Sequence, residues 1–184
     1  MMKKTLTLFY ASLLSVAIAG CGSIIKDYNL VSSSHIAADN LLKGVKDIPT
    51  LVPRTKGVDM KQPILVASFV NIDNVQQSST FGRMTAEQIG SRLVQRGYKV
   101  IEMKMRGSVF VQEKTGELLL SRELRQISLQ HDAYAVVVGT YGASKGTVYV
   151  TAKLVRAEDN VILSSYDYRL PMGPDTKKML QKRG

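Results

Sequence analysis

Cys21 is the only thiol in the 184-residue chain, and its setting suggests chemistry. It follows Ile18, Ala19 and Gly20. A thiol is the nucleophile that can take a diacylglyceryl group as a thioether. Small residues at Ala19 and Gly20 let a peptidase reach the bond between Gly20 and Cys21. With no second cysteine, any disulfide would need a second molecule.

Other reactive side chains form no constellation. The two histidines, His35 and His131, sit in no metal-ligand spacing. His131-Asp132 has an acid–base look, but a histidine at a helix C-terminus is favoured by the helix dipole alone. Glu113, Glu117 and Glu123 fall in a turn and a helix start, where an acid residue also suits the dipole. The sequence holds no Gly-Lys-Ser or Gly-Lys-Thr phosphate loop and no Gly-x-Ser-x-Gly elbow. Gly139-Thr140-Tyr141-Gly142 leaves a strand toward a hairpin rather than opening a helix. The expectation is a protein that is not an enzyme and uses no cofactor or metal.

The segment before Cys21 explains the cysteine. Lys3 and Lys4 begin it, Leu6 to Ala19 is mostly apolar, and small residues close it. This is the order of a secretory signal. The apolar run is short for a membrane span, which needs about 20 residues. Ile18-Ala19-Gly20-Cys21 resembles the lipobox of bacterial lipoproteins. That resemblance implies a signal peptide over residues 1–20, cleavage between Gly20 and Cys21, and acylation of Cys21. Two or three acyl chains anchor a protein stably where one does not. Residue 22 is Gly rather than the Asp that resembles an inner-membrane retention signal, so the outer membrane is expected.

Removing the signal leaves 164 residues, enough for one domain and a tether. The net charge of +10 falls to +8 once Lys3 and Lys4 are gone. The clearest basic groups are Lys99, Lys104 and Arg106, then Lys177, Lys178, Lys182 and Arg183. Such charge suits anionic partners such as lipid headgroups, lipopolysaccharide or cell-wall polymers, or simply a solvated surface. Nucleic acid is not expected for an exported chain. Candidate partner contacts are Phe81 and Arg83, after a polar loop long for an α/β connection. Tyr141, Tyr149, Tyr166 and Tyr168 form a second candidate, an aromatic surface on paired strands.

The elements that must position these residues follow from periodicity. Residues 21–62 read as a lipidated tether, with an amphipathic helix over His35 to Asp47 capped by Ser33 or Ser34. Pro49 and Pro53 break the chain before the main domain at residues 63–171. Ile64 to Val70 reads as a buried strand. Thr80 to Arg96 has helical spacing, with Ser79 or Thr80 as cap and Gly97 at the C-terminal stop. Tyr98 to Met103 is a strand, and Gly107 to Gln112 a short strand or loop. A turn at Lys114 to Glu117 follows, then a helix over Ser121 to Asp132 with Ser121 as its cap. Ala133 to Tyr141, Thr147 to Arg156 and Val161 to Leu170 form a meander of two hairpins. A basic tail, 172–184, follows Pro171. The expected fold class is α/β: a single mixed sheet with two packed helices covering one face, ending in a C-terminal antiparallel meander.

Several segments together resemble the FlgO family of flagellar outer-membrane lipoproteins. They are Pro63 to Val70, Phe81-Gly82-Arg83, and Thr115-Gly116-Glu117 through Leu120 to Leu124. Ala135 to Tyr141, Thr147 to Val150 and Asp167 to Pro171 complete the set. The resemblance implies an outer-membrane lipoprotein with its domain in the periplasm. Its role would be structural, in flagellar assembly, stability or motility. Implied partners are basal-body or ring proteins, and self-association is open. The alternative is an envelope lipoprotein that binds cell wall, or regulates a cell-wall synthase or a secretion complex.

Overall fold

A computed structural model describes residues 26–45, 62–103, 110–112, 118–120 and 122–181. Gly20 and Cys21, the turn at Lys114 to Glu117 and the Ser121 cap lie outside these residues. In chain order the elements are α1 (Leu30–Lys43), β1 (Ile64–Ala67), β2 (Val70–Asn71), α2 (Thr80–Gln95) and β3 (Val100–Met103). Next come β4 (Phe110–Gln112), β5 (Leu118–Leu120) and α3 (Arg122–Gln130). The chain ends with β6 (Ala135–Ala143), β7 (Thr147–Arg156), β8 (Ile162–Pro171) and α4 (Pro174–Leu180). The expected mixed α/β sheet is present. It has six strands in the order β3-β1-β6-β7-β8, with β2 also paired to β6, and β4 and β5 form a separate two-stranded ribbon.

β1 is parallel to both neighbours, with Ile64 opposite Val100 and Ala135. β6, β7 and β8 are antiparallel, the meander read from the alternating sequence. The first apolar run is not one strand. It breaks at Ser68-Phe69, because Phe69 turns its N–H to the Gly82 carbonyl of α2 and buries its ring against Gly139, where a Cβ would overlap it.

The two predicted helices do not share a face. Side chains of α1 and α2 pack with Ile64, Val66, Val137, Val150 and Leu154 in one core. α3 packs Leu124 with Leu65, Val136, Val138 and Val155 on the other face. Handedness explains the split. The crossover from β1 through α2 moves outward to β3, whereas the crossover through α3 returns past β1 to β6. Two right-handed crossovers in opposite directions place their helices on opposite faces.

α1 begins five residues before its expected start. The Asn29 side chain accepts the Ser32 N–H at 3.0 Å and caps it. Ser33 and Ser34 are therefore buried helix residues and not caps. Ser33 Oγ donates to the Asn29 carbonyl and Ser34 Oγ to Gln88 Oε1 of α2. Ala37, Ala38 and Leu41 are fully buried. Burying one leucine of this kind contributes about 2 kcal/mol. α1 is thus part of the folded unit, which reaches N-terminally well beyond Pro63.

The basic tail also folds. Pro174 occupies the first turn of α4, where its missing N–H costs nothing. The cap comes from far away in the sequence: Asp27 carboxylate oxygens accept the N–H groups of Asp175 at 2.8 Å and Thr176 at 2.9 Å. These bonds hold the Asp27 carboxyl below its ordinary pKa, against the opposing effect of its own desolvation.

Candidate interaction surface

At α2, Ser79 Oγ accepts the Gly82 N–H at 3.2 Å and starts the helix as expected. Gly97 ends it in the left-handed region, at φ 91°. The N–H of Tyr98 reaches the Leu93 carbonyl and that of Gly97 the Val94 carbonyl, a Schellman closure.

The first turn of α2 splits the candidate residues of the loop. Phe81 is fully buried and meets Tyr141 edge to face, with ring centroids 5.4 Å apart. It is a core residue and offers no contact to a partner. Gly82 touches the Phe69 backbone so closely that a Cβ would overlap its carbonyl oxygen. Arg83 is exposed and donates from Nη2 to Thr80 Oγ1 at 3.1 Å. It edges an open cleft of about 410 Å³ shared with the 74–80 loop and Gln181. The lining is amide, hydroxyl and guanidinium, which can hydrogen-bond a polar ligand but offers no nucleophile–base pair.

The four tyrosines do not form one aromatic surface. Tyr141 is buried in the core beneath α2, and burial pushes its hydroxyl pKa up. Tyr166 and Tyr168 stack at 6.0 Å and pack against the core under α1. The Tyr168 hydroxyl is buried beside Ser34, and this desolvation raises its pKa strongly. Strand alternation explains the outcome. Residues 148, 150, 152 and 154 of β7 point into the α1–α2 core, so Tyr149 points to the other face. There it is 55% exposed. Its strand neighbours are Gly142 and Arg169, and Thr151 pairs with Asp167 one step on. Among the described residues no helix packs over this part of the face. Of the predicted contacts, Arg83 and Tyr149 are therefore the accessible ones, and they lie on different sides of the sheet.

Of the residues with an acid–base look, Asp132 has a partner of its own. Asp132 stands at φ 49° and accepts from Gln62 Nε2 at 3.1 Å. Among the described residues no three His, Cys, Asp or Glu side chains group as a metal set. Among them also, no helix is long and apolar enough to cross a membrane.

One polar cluster was not anticipated. Asp39 of α1 binds two arginines, Arg92 of α2 at 2.8 and 3.1 Å and Arg96, the residue that caps its C-terminus, at 2.7 Å through both oxygens. Hydrogen bonds from Arg96 and Arg92 hold its carboxyl far below the usual carboxylate range. No short motif reveals this cluster, because its partners lie more than 50 residues apart in the chain.

Several solved structures are loosely similar to the chain. The C-terminal domain of LpoB from Escherichia coli is similar at 14% identity, covering 77% of this chain and 98% of that one, with a TM-score of 0.47. Lipoprotein GNA1162 from Neisseria meningitidis is similar at 19% identity, over 62% and 85% of the two chains, with a TM-score of 0.41. PelC from Paraburkholderia phytofirmans is similar at 12% identity, over 64% and 75%, with a TM-score of 0.41. Superpositions this loose bear on no function. No curated protein matches the chain in sequence. The model of the FlgO protein family matches residues 36–175, which is most of the chain. The chain belongs to the FlgO family.

Proposed function

We propose that this protein is an envelope lipoprotein, acylated at Cys21 and held on the periplasmic side of the outer membrane. There it supports the flagellum structurally, by binding basal-body or ring proteins and not by catalysis. The observation that carries this reading is the family match over residues 36–175. The signal and lipobox pattern before Cys21 supplies the anchor independently.

The fold adds a constraint on reach. Asp27 is bonded into α4, and it is only six residues after Cys21. A fully extended chain covers about 3.4 Å per residue, so this stretch spans at most about 20 Å. A domain held so close to its anchor suits work at the membrane. It suits less well a synthase regulator that must cross the cell wall.

The test is swimming and filament attachment in a clean deletion strain, complemented by wild type and by Cys21→Ser. Poor swimming or shed filaments in the deletion, unrescued by Cys21→Ser at normal protein level, is the expected result. Normal motility and normal filaments would overturn the flagellar role. Arg83→Glu and Tyr149→Ala in the same assay separate the two accessible surfaces. A partner on one side leaves the other variant motile.

A further inference from the structure

One end of the domain gathers the C-termini of β1, β3, β6 and β8, the N-termini of α1 and α2, and all of α4. Hydrogen bonds fix its parts together. Asp27 holds the N-terminal stretch, with Lys26 and Tyr28, against the start of α4, the helix that carries Lys177 and Lys178. The Met172 N–H reaches the Gly146 carbonyl at 2.9 Å, which brings the Lys145 turn to the start of α4. Gln181 and Arg83 share one cleft, so the far end of α4 adjoins the first turn of α2.

Around α4 the lysines Lys26, Lys145, Lys177 and Lys178 are exposed, as is Arg83 across the shared cleft. Around Arg83 the exposed acids Asp73, Glu87 and Glu102 offset the cation; beside α4 the exposed acid is Asp175, and the Asp27 carboxylate is already taken by two backbone N–H groups. Tyr28 and Val31 stand out of the same end at 56% and 46% exposure. The chain leaves the domain here toward Cys21, with six residues to span.

We infer that this end is a membrane-facing surface that takes anionic lipid headgroups, its lysines meeting lipid phosphates while Tyr28 and Val31 enter the interface. The inference rests on acylation of Cys21, which confines this end, and no other, to the bilayer surface. Charge complementarity then selects the occupant. Basic residues held near a membrane gain from anionic lipid within a Debye length of about 8–10 Å. An amphipathic tyrosine is at home at the headgroup level.

The test uses the purified lipidated protein in vesicles of phosphatidylcholine, with and without phosphatidylglycerol. Backbone hydrogen exchange is read over residues 26–31 and 174–181. With phosphatidylglycerol, exchange in these segments slows by roughly tenfold, high salt reverses the effect, and the C-terminal half of α2 is unchanged. The Lys177→Glu, Lys178→Glu double variant exchanges alike in both vesicles. Equal rates for the wild-type protein in both vesicles, or slowing that survives the charge reversal, would overturn the inference while leaving the anchor intact. Intact mass of the same sample reads the anchor separately. An unacylated Cys21 removes the lipoprotein reading and this inference together.

Discussion

Asp39 accepts hydrogen bonds from two guanidinium groups at once, and its carboxyl is depressed accordingly. The arginines are partly exposed, so solvent screening keeps the pair energies small. Asp39→Asn should cost about 1 kcal/mol in urea unfolding. A depressed acid contributes its stability above the ordinary carboxylate pKa, near 3.9, and loses it as pH falls toward the folded value. Wild type should therefore lose part of its stability below about pH 4, and Asp39→Asn should lose less over that range. Gly82 presents a steric test. Gly82→Ala sets a methyl against the Phe69 carbonyl and should destabilise by about 1–3 kcal/mol, seen as a lower thermal midpoint. Only part of this scale was legible in the sequence. Ser79 and Gly97 acted as read, because caps are local. Phe81 followed its hydrophobicity inward. Asp39 gave no sign, since its partners arrive only with folding.

The helices show where periodicity suffices and where it fails. α2 was readable from its spacing and both ends. α1 was readable as a helix, but its start was misplaced by Ser33 and Ser34, which look like caps and are instead packing residues. α4 read as a charged tail. Its seven residues are too short to hold a helix alone. They are held by burial of Thr176, partial burial of Met179 and Leu180, and the Asp27 carboxylate, 148 residues away. Asp27→Ala removes that cap and should weaken α4 by about 1 kcal/mol. Hydrogen exchange should speed up over residues 174–180 while α2 and the sheet stay unchanged. A uniform change across the domain would contradict a local role.

The whole molecule has two apolar layers joined by one sheet. The α/β class was legible because strands and helices alternate before a meander. The faces were not, since each helix has an apolar side whichever face it covers, and strand order decides the rest. The same uncertainty scattered the tyrosines, whose grouping depended on strand parity and on which face α1 covered. The layer under α3 is thin, with Leu124 its one fully buried helix residue of large size. Leu124→Ala should cost about 2–4 kcal/mol. Because both layers share β1 and β6, chemical unfolding should remain a single transition with an unchanged denaturant slope. Two transitions would mean that the α3 side unfolds by itself.

Because Asp27 is clasped to α4, the folded chain enters and leaves at neighbouring points, like a purse drawn shut. A fluorescent protein fused to the C-terminus follows closely on α4, whose start is clasped to the stretch that leads to Cys21, so a bilayer and a bulky barrel compete for space. The turn at Glu158-Asp159 lies at the opposite end of the sheet and is exposed. A small epitope placed there should be tolerated and should preserve motility where the C-terminal fusion impairs it.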